Sequence, residues 1–327
     1  MAARGVAIVG AGAFGLTHAT AIDAHPELEL RAVVGSTTES AARLADRFGV
    51  LHGGLDDVLA DPSIDGVIIA TPHATHLDLA RRTLEAGKHV LVEKPLAVTT
   101  EECDALLAAE KTSAGRGMVG HLMRWAPAHR LARHLLDQGV VGDVVAAESR
   151  RVIPWNWAHR RPWHRSAAQG GGMWMVQGVH VLDQLCWLLD AWPDRIVGRS
   201  ETRFHPEQDA DDYGTALARF GTVPVSVTIA GIRQGATEIY TQITGTEATM
   251  RVSHRGDLFV DSGGGWEQHA SQTADQWERT LRGELDAFAG VILGRSTGPD
   301  FAYGRHIVAA VEGVRRSQRS GRWEAIG

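Results

Sequence analysis

A glycine-rich turn near the N-terminus has the spacing of a dinucleotide-binding loop. It reads Gly-Ala-Gly-Ala-Phe-Gly, and it follows a short apolar run and opens a helical pattern. In such a turn the first glycine permits the tight bend, the second lets the backbone approach a pyrophosphate, and the third lets helix and strand pack closely. The N–H groups at the start of the helix attract the phosphates. The predicted cofactor-binding residues of this loop are Gly10, Gly12, Ala13, Phe14 and Gly15.

The residues after the second predicted strand bear on which dinucleotide binds. A site that prefers NAD usually carries Asp or Glu here to hold the ribose 2′-hydroxyl. This chain instead has Gly35, Ser36 and Thr37. A carboxylate would repel a 2′-phosphate, whereas small hydroxyl side chains donate hydrogen bonds to it. We therefore favour NADP(H) as the cofactor, with NAD(H) left open.

A lysine at the end of an apolar strand is the first candidate for catalysis. The segment HVLVEK at 89–94 ends in Lys94 and is followed by Pro95. Ligands of doubly wound folds bind at the carboxyl ends of strands, so we expect Lys94 to face the ligand. An ammonium there can hydrogen-bond a substrate hydroxyl and stabilise the developing alkoxide or carbonyl oxygen.

A histidine on an apolar helix is the second candidate. A helix is predicted to begin near Met173. Three of its residues share one face, namely Val176, His180 and Asp183. The unperturbed pKa of a histidine, about 6.5, lets His180 accept or donate a proton near neutrality. Asp183 is predicted to belong to the substrate site, where it could orient the imidazole, although the helix dipole and packing explain it equally well. Gln177 could bind substrate or be satisfied by the backbone.

Aromatic residues are concentrated in one segment, where seven of the ten tryptophans fall between residues 125 and 192. Flat aromatic faces can stack on a ring of the substrate, and nearby arginines can bind a carboxylate or phosphate. We expect three tryptophans of this segment to lie in the core and three other residues to line the substrate pocket. The expected core residues are Trp174, Trp187 and Trp192, and the expected pocket residues are Trp155, Trp163 and His164.

The elements that must position these residues divide the chain at about residue 120. Before it, short apolar runs alternate with helical patterns, which predicts an α/β fold with a doubly wound parallel sheet. After it, strands with hairpin-length connections predict an α+β domain with a large, mostly antiparallel sheet. The predicted domains are 1–120, an NAD(P)-binding Rossmann domain, and 121–327, a substrate-binding and oligomerisation domain. The C-terminal helix is expected to pack back on the first domain.

The segment AGKHVLVEKPLAVTTEEC resembles the corresponding stretch of the Gfo/Idh/MocA oxidoreductases. The glycine loop, the triple glycine at 170–172 and the later Gly-Val-His fall in the family's order. The resemblance implies a nicotinamide cofactor, hydride exchange with a hydroxyl or ketone, and homodimers or homotetramers. It also implies that Lys94 contacts the reacting oxygen. The further residues that it places along the cofactor are Thr71, Pro72, His76 and, on the ribose, Glu93.

One position departs from the family pattern. Val176 stands where members usually carry Asp, which removes one substrate ligand and one negative charge. The leading hypothesis is the interconversion of a secondary alcohol and a ketone on a cyclic, sugar- or polyol-like substrate. The missing acid and the tryptophan-rich segment leave open a cis-dihydrodiol dehydrogenase. The resemblance also leaves open a glycosidase or lyase that retains NAD, and Val176 leaves open a non-catalytic cofactor-sensing protein.

Composition narrows the range of partners. The formal net charge is −6 with 39 acidic and 33 basic residues, which gives no reason to expect binding to nucleic acid or an anionic membrane. Cys103 and Cys186 have no metal-ligand spacing, so no metal is expected, and both are taken as reduced thiols. No signal peptide or long apolar run is evident, which favours a cytoplasmic protein.

Overall fold

The computed structural model describes residues 3–156, 160–296 and 298–327. The chain forms two compact units, each discontinuous in sequence. The first contains residues 1–122 and 281–305, and the second contains residues 123–280 and 306–327. None of the helices in the described ranges has the length and apolar character needed to cross a membrane.

The first unit is built on a parallel sheet of six strands in the order β3-β2-β1-β4-β5-β6. The inner strands are apolar and buried, as expected for a sheet covered by helices on both faces. The order reverses between β1 and β4, which is where ligands of doubly wound folds bind. The strands are β1 Arg4–Val9, β2 Leu28–Val34, β3 Leu51–His52, β4 Gly66–Ile69, β5 His89–Glu93 and β6 Gly117–Gly120. The helices are α1 Ala13–Asp23, α2 Thr38–Phe48, α3 Leu55–Ala60, α4 His76–Glu85 and α5 Thr100–Thr112.

The C-terminal part of the first unit completes its core. Phe288 and Phe301 are fully buried. A Cβ atom on Gly66 of β4 would lie 3.0 Å from the Phe288 ring, and one on Gly117 of β6 would lie 2.4 Å from the Phe301 ring. The glycines therefore leave room for two aromatic rings to pack directly on the sheet.

The second unit is built on a sheet of nine strands in the order β14-β13-β12-β11-β7-β10-β9-β8-β15. The central pair β7 and β10 is parallel and the other pairs are antiparallel. The strands are β7 Val144–Pro154, β8 Arg195–Glu201, β9 Tyr213–Phe220, β10 Val223–Ile232, β11 Glu238–Gly245, β12 Thr249–Ser253, β13 Leu258–Asp261, β14 Glu267–Ala270 and β15 Glu324–Ala325. The helices are α6 Pro127–Asp137 and α7 Val179–Leu189, with α8 Gln276–Ile292 and α9 Phe301–Ser320 divided between the two units.

The predicted fold class is confirmed, and one local prediction is wrong. The helix begins at Met173 as expected, but residues Trp174–Gly178 form a π-helical turn before α7 begins. Such turns are rare and occur frequently at functional sites. Trp192, expected in the core, is 40% exposed, and its ring stacks on His306 at a centroid distance of 4.5 Å. Trp174 is fully buried, as predicted.

Candidate active site

The glycine loop has the geometry that a pyrophosphate requires. Gly10 has φ +119°, and a Cβ there would lie 2.3 Å from the carbonyl oxygen of Ala70. A Cβ on Gly15 would lie 1.8 Å from the carbonyl oxygen of Gly10. By contrast, a Cβ on Gly12 would meet no described atom within 4 Å. Gly12 is also the N-cap of α1 and supplies no side chain to the first N–H groups of that helix. The loop therefore offers open space and helix N–H donors to a phosphate.

The segment after β2 forms a capped helix start. The Thr37 hydroxyl accepts a hydrogen bond from the Ser40 N–H at 3.1 Å, and the Ser40 hydroxyl accepts one from the Thr37 N–H at 3.3 Å. A Cβ on Gly35 would lie 2.5 Å from the Ser40 oxygen. Ser36 is exposed. Because Thr37 is engaged in the cap, Ser36 is the less constrained of the two predicted hydroxyl contacts.

His76 joins the loop after β4 to the segment after β5. Its Nδ1 lies 2.9 Å from the Pro95 carbonyl oxygen, and its Nε2 lies 3.0 Å from that of Thr71. The ring is fully buried, and this burial lowers the pKa of His76 although both carbonyls favour the charged form. Pro72 lies between β4 and a short 3₁₀ turn at His73–Thr75. Through these two contacts His76 connects the loop that contains Thr71 to the segment that contains Pro95.

The end of β5 carries the motif Glu93-Lys94-Pro95, with a cis peptide bond before the proline. Lys94 is half-buried, whereas Glu93 is buried and lies 2.8 Å from Nε2 of His18 on α1. Glu284 of α8 belongs to the same cluster, since one ligand atom from each of His18, Glu93 and Glu284 lies within 4.8 Å of the others. His18 and Glu284 were not predicted. The signal for His18 was available, because it lies three residues after Gly15 and so on the side of α1 that packs on the sheet.

In the second unit the predicted residues of the helix region occupy successive turns. Val176 is buried in the π-helical turn, and Gln177 accepts a hydrogen bond from Nε of Arg151 on β7. His180 is 7% exposed at the start of α7. Asp183 is fully buried, and its Oδ1 lies 2.6 Å from Nη2 of Arg124. Neither arginine was predicted as a site residue, and only the fold reveals them, because both are remote in sequence from the helix they contact.

The aromatic segment is only partly described, since Trp157, Ala158 and His159 lie outside the described residues. Trp155 is buried, and the Arg160 guanidinium lies 3.8 Å above its ring. The rings of Trp163 and His164 stack on each other at 3.7 Å. Trp155 borders a cavity of about 530 Å³ that Asn156, His205, Glu207 and Arg233 also line. Pocket lining by Trp163 and His164 stays a prediction.

Two family models match consecutive parts of the chain. Residues 4–121 match the "Oxidoreductase family, NAD-binding Rossmann fold" of GFO/IDH/MocA, and residues 129–251 match the "GFO/IDH/MocA C-terminal domain". Together the two matches cover most of the sequence. The chain belongs to the GFO/IDH/MocA oxidoreductase family.

Relatives of the family share moderate sequence identity with the chain. The uncharacterized oxidoreductase YdgJ of Escherichia coli is 33% identical over 66% of this chain and 61% of its own length. Levoglucosan dehydrogenase of Pseudarthrobacter phenanthrenivorans is 32% identical over 56% of this chain and 50% of its own length. The chain thus matches less than two thirds of either relative.

The solved structure of GenD2 from gentamicin A biosynthesis, in complex with NAD, superposes with a TM-score of 0.87. It is 26% identical, and the superposition covers 100% of this chain and 97% of that chain. As a GFO/IDH/MocA member, the chain carries the NAD-binding Rossmann domain of an oxidoreductase family.

Proposed function

We propose that this protein interconverts a secondary alcohol and a ketone on a cyclic, sugar- or polyol-like substrate. The proposal rests on two features of the first unit. The glycine loop leaves open space beside Gly12, and Lys94 lies at the carboxyl end of a strand. The name of the levoglucosan dehydrogenase relative supports a sugar-like substrate. The departure at Val176 favours a substrate different from that of relatives with an acid there.

The residues of the first unit fit a nicotinamide dinucleotide. The glycine loop would hold the pyrophosphate, and Glu93 would bind a ribose hydroxyl. When bound, the nicotinamide supplies the two-electron acceptor for the hydride. We propose a preference for NADP(H), because no carboxylate stands at residues 35–38 and Ser36 is exposed beside the start of α2. Calorimetric titration with NADP⁺ and NAD⁺ tests this, and a tenfold tighter binding of NAD⁺ would reverse the preference.

The chain's own residues would manage the proton and the oxygen. In the oxidation direction the substrate C–H bond breaks with its electron pair, the O–H bond loses its proton, and a C=O bond forms. We assign the proton to the imidazole of His180, which is a suitable acceptor near neutral pH. The Lys94 ammonium would donate a hydrogen bond to the substrate oxygen and stabilise its developing negative charge.

Single substitutions test these assignments with a panel of cyclic polyols and levoglucosan. Lys94→Ala should lower kcat by roughly 10²- to 10⁴-fold, the range typical of a lost acid–base group, and leave cofactor binding unchanged. His180→Ala should lower kcat similarly. Lys111→Ala, on the exposed surface of α5, is the matched control and should retain full activity. Normal turnover by the Lys94 variant would refute the proposed role.

The outer face of the nine-stranded sheet supports a further part of the proposal. Along β9 the even-numbered residues from Gly214 to Phe220 are buried, and Leu217 on the opposite face is 53% exposed. We propose that this face joins copies of the chain into a homodimer or homotetramer. Light scattering should report an oligomer that Leu217→Glu weakens. A monomeric wild-type protein at micromolar concentration would contradict this.

A further inference from the structure

The helix-facing side of β7 becomes polar toward the end of the strand. Ala147, Ser149 and Arg151 alternate with exposed or half-buried residues and are themselves buried. Arg151 is 7% exposed. Its Nε donates to the side-chain oxygen of Gln177, and its Nη1 lies 3.3 Å from Nδ1 of His254. Two nitrogen atoms of the guanidinium therefore contact neutral side chains.

This buried guanidinium lacks a counter-charge. Across the described ranges 3–156, 160–296 and 298–327, no carboxylate lies within 4.0 Å of Arg151. The nearby buried acid, Asp183, is already paired with Arg124 at 2.6 Å. A buried charge without a partner is costly, and proteins usually pair such charges or use them to bind a charged ligand.

The neighbouring histidines, His129 and His254, are neutral at neutral pH and provide no counter-charge for Arg151. Burial, reinforced by Arg151 and His129, lowers the pKa of His254 to about 2, and burial lowers that of His129 to about 4. Burial also lowers the pKa of Arg151 to about 10, which leaves the guanidinium charged at neutral pH. This cluster of Arg124, Arg151 and Asp183 with two neutral histidines therefore carries one excess positive charge.

We propose that Arg151 binds an oxyanion group, a carboxylate or a phosphate, on the substrate. The inference rests on the proposed function and narrows its substrate class to sugar acids or sugar phosphates. Gln177 lies in the π-helical turn directly before α7, so Arg151 contacts the turn that precedes His180. Because no carboxylate among the described residues pairs with it, Arg151 can offer to an oxyanion the forked geometry of a guanidinium group.

Binding measurements separate this inference from the catalytic proposal. The full-length protein, saturated with cofactor, is titrated by calorimetry with galactose, galacturonate and galactose 6-phosphate, and with tartrate and inorganic phosphate. We expect at least one charged sugar to bind ten times or more tighter than galactose. Tighter binding of galacturonate identifies a carboxylate site, and tighter binding of galactose 6-phosphate or inorganic phosphate identifies a phosphate site.

Substitutions at two adjacent residues localise the effect. Arg151→Met should remove the preference for the charged sugar, and Arg151→Lys should retain part of it and serves as the test if the methionine variant does not fold. Arg150→Met is the matched control, because Arg150 points to the other face of β7 and pairs with Glu238. Equal binding of charged and neutral ligands, or an unchanged preference in the Arg151 variants, overturns the inference. Anion binding without any turnover would instead count against the proposed dehydrogenase activity alone.

Discussion

Nε2 of His18 lies 2.8 Å from a carboxylate oxygen of Glu93, and both side chains are buried. His18 is on the helix that opens at the glycine loop, and Glu93 is the last residue of β5, directly before Lys94. The contact therefore ties the proposed phosphate site to the proposed catalytic lysine. Glu284 closes the same cluster from α8.

Removing the imidazole should weaken both the fold and the cofactor site. His18→Ala leaves the buried carboxylates of Glu93 and Glu284 without the neighbouring imidazole, and breaking a buried pair costs about 3 kcal/mol. We expect a lower thermal midpoint and weaker cofactor binding in titrations. His18→Gln, which keeps a polar side-chain end, should recover part of both. His52→Ala, on an exposed residue, is the control, and equal stability of the His18 and His52 variants would contradict the prediction.

A pair of glycine substitutions should separate binding from folding. Gly12→Ala adds a methyl group to open space, so we expect an unchanged thermal midpoint and at least a tenfold weaker affinity for the cofactor, about 1.4 kcal/mol. Gly10→Ala places a methyl group against the Ala70 carbonyl at φ +119° and should lower the unfolding free energy by about 2 kcal/mol or more. Full cofactor affinity in the Gly12 variant would place the pyrophosphate elsewhere.

Asp183 should contribute to stability through Arg124. Asp183→Asn leaves the Arg124 charge buried without its partner, and we expect a loss of about 3 kcal/mol in urea unfolding. The double variant Arg124→Met with Asp183→Leu removes both charges and should recover most of that loss. If Asp183 instead bound substrate directly, Asp183→Asn would raise KM without lowering stability.

Stability should fall with acid because the fold lowers the pKa of two histidines. Burial lowers the pKa of His129 to about 4, and burial with the charge of Arg151 lowers that of His254 to about 2, against an ordinary value of 6.5. Below pH 6.5 the unfolded chain therefore binds more protons than the folded chain, and stability is lost as pH falls toward those values. Each histidine contributes about 2 kcal/mol of this loss between pH 7 and pH 5.

Thermal midpoints measured across that pH range test the assignment. His254→Gln should flatten the pH profile by its share, whereas His134→Gln, on the exposed side of α6, should leave the profile unchanged. An identical slope in the wild-type protein and the His254 variant would show that other groups cause the acid sensitivity.

Much of the fold could be predicted from local sequence patterns. The strands of the first unit are short apolar runs and the glycine loop sits between a strand and a helix, so periodicity and turn chemistry were enough to predict them. The π-helical turn before His180 was not predictable, because no local residue preference distinguishes it from the α-helix that follows. The exposure of Trp192 could not be predicted from its neighbours, because a residue in an apolar stretch of sequence is not necessarily buried in the fold.

The candidate site was predictable only where one segment supplies it. Lys94 and His180 could be proposed as site residues from the residues that flank them. Arg151 could not, because its contacts are with Gln177 and His254, which are 26 and 103 residues away. Pairing across a sheet and against a helix depends on register, which a single sequence leaves open. The missing counter-charge of Arg151 is a property of the packed chain and of no local motif.

The two phenylalanines that pack on Gly66 and Gly117 also constrain the order in which the protein matures. A ribosome delivers all six strands of the first sheet well before Phe288 and Phe301 emerge, so the nascent sheet waits with part of its apolar surface uncovered. The unit whose sheet is made first is thus completed only after residues 123–280 of the second unit have been made. A fragment ending at Leu122 should be aggregation-prone, and a chaperone that holds nascent chains would find its longest engagement during synthesis of residues 123–280.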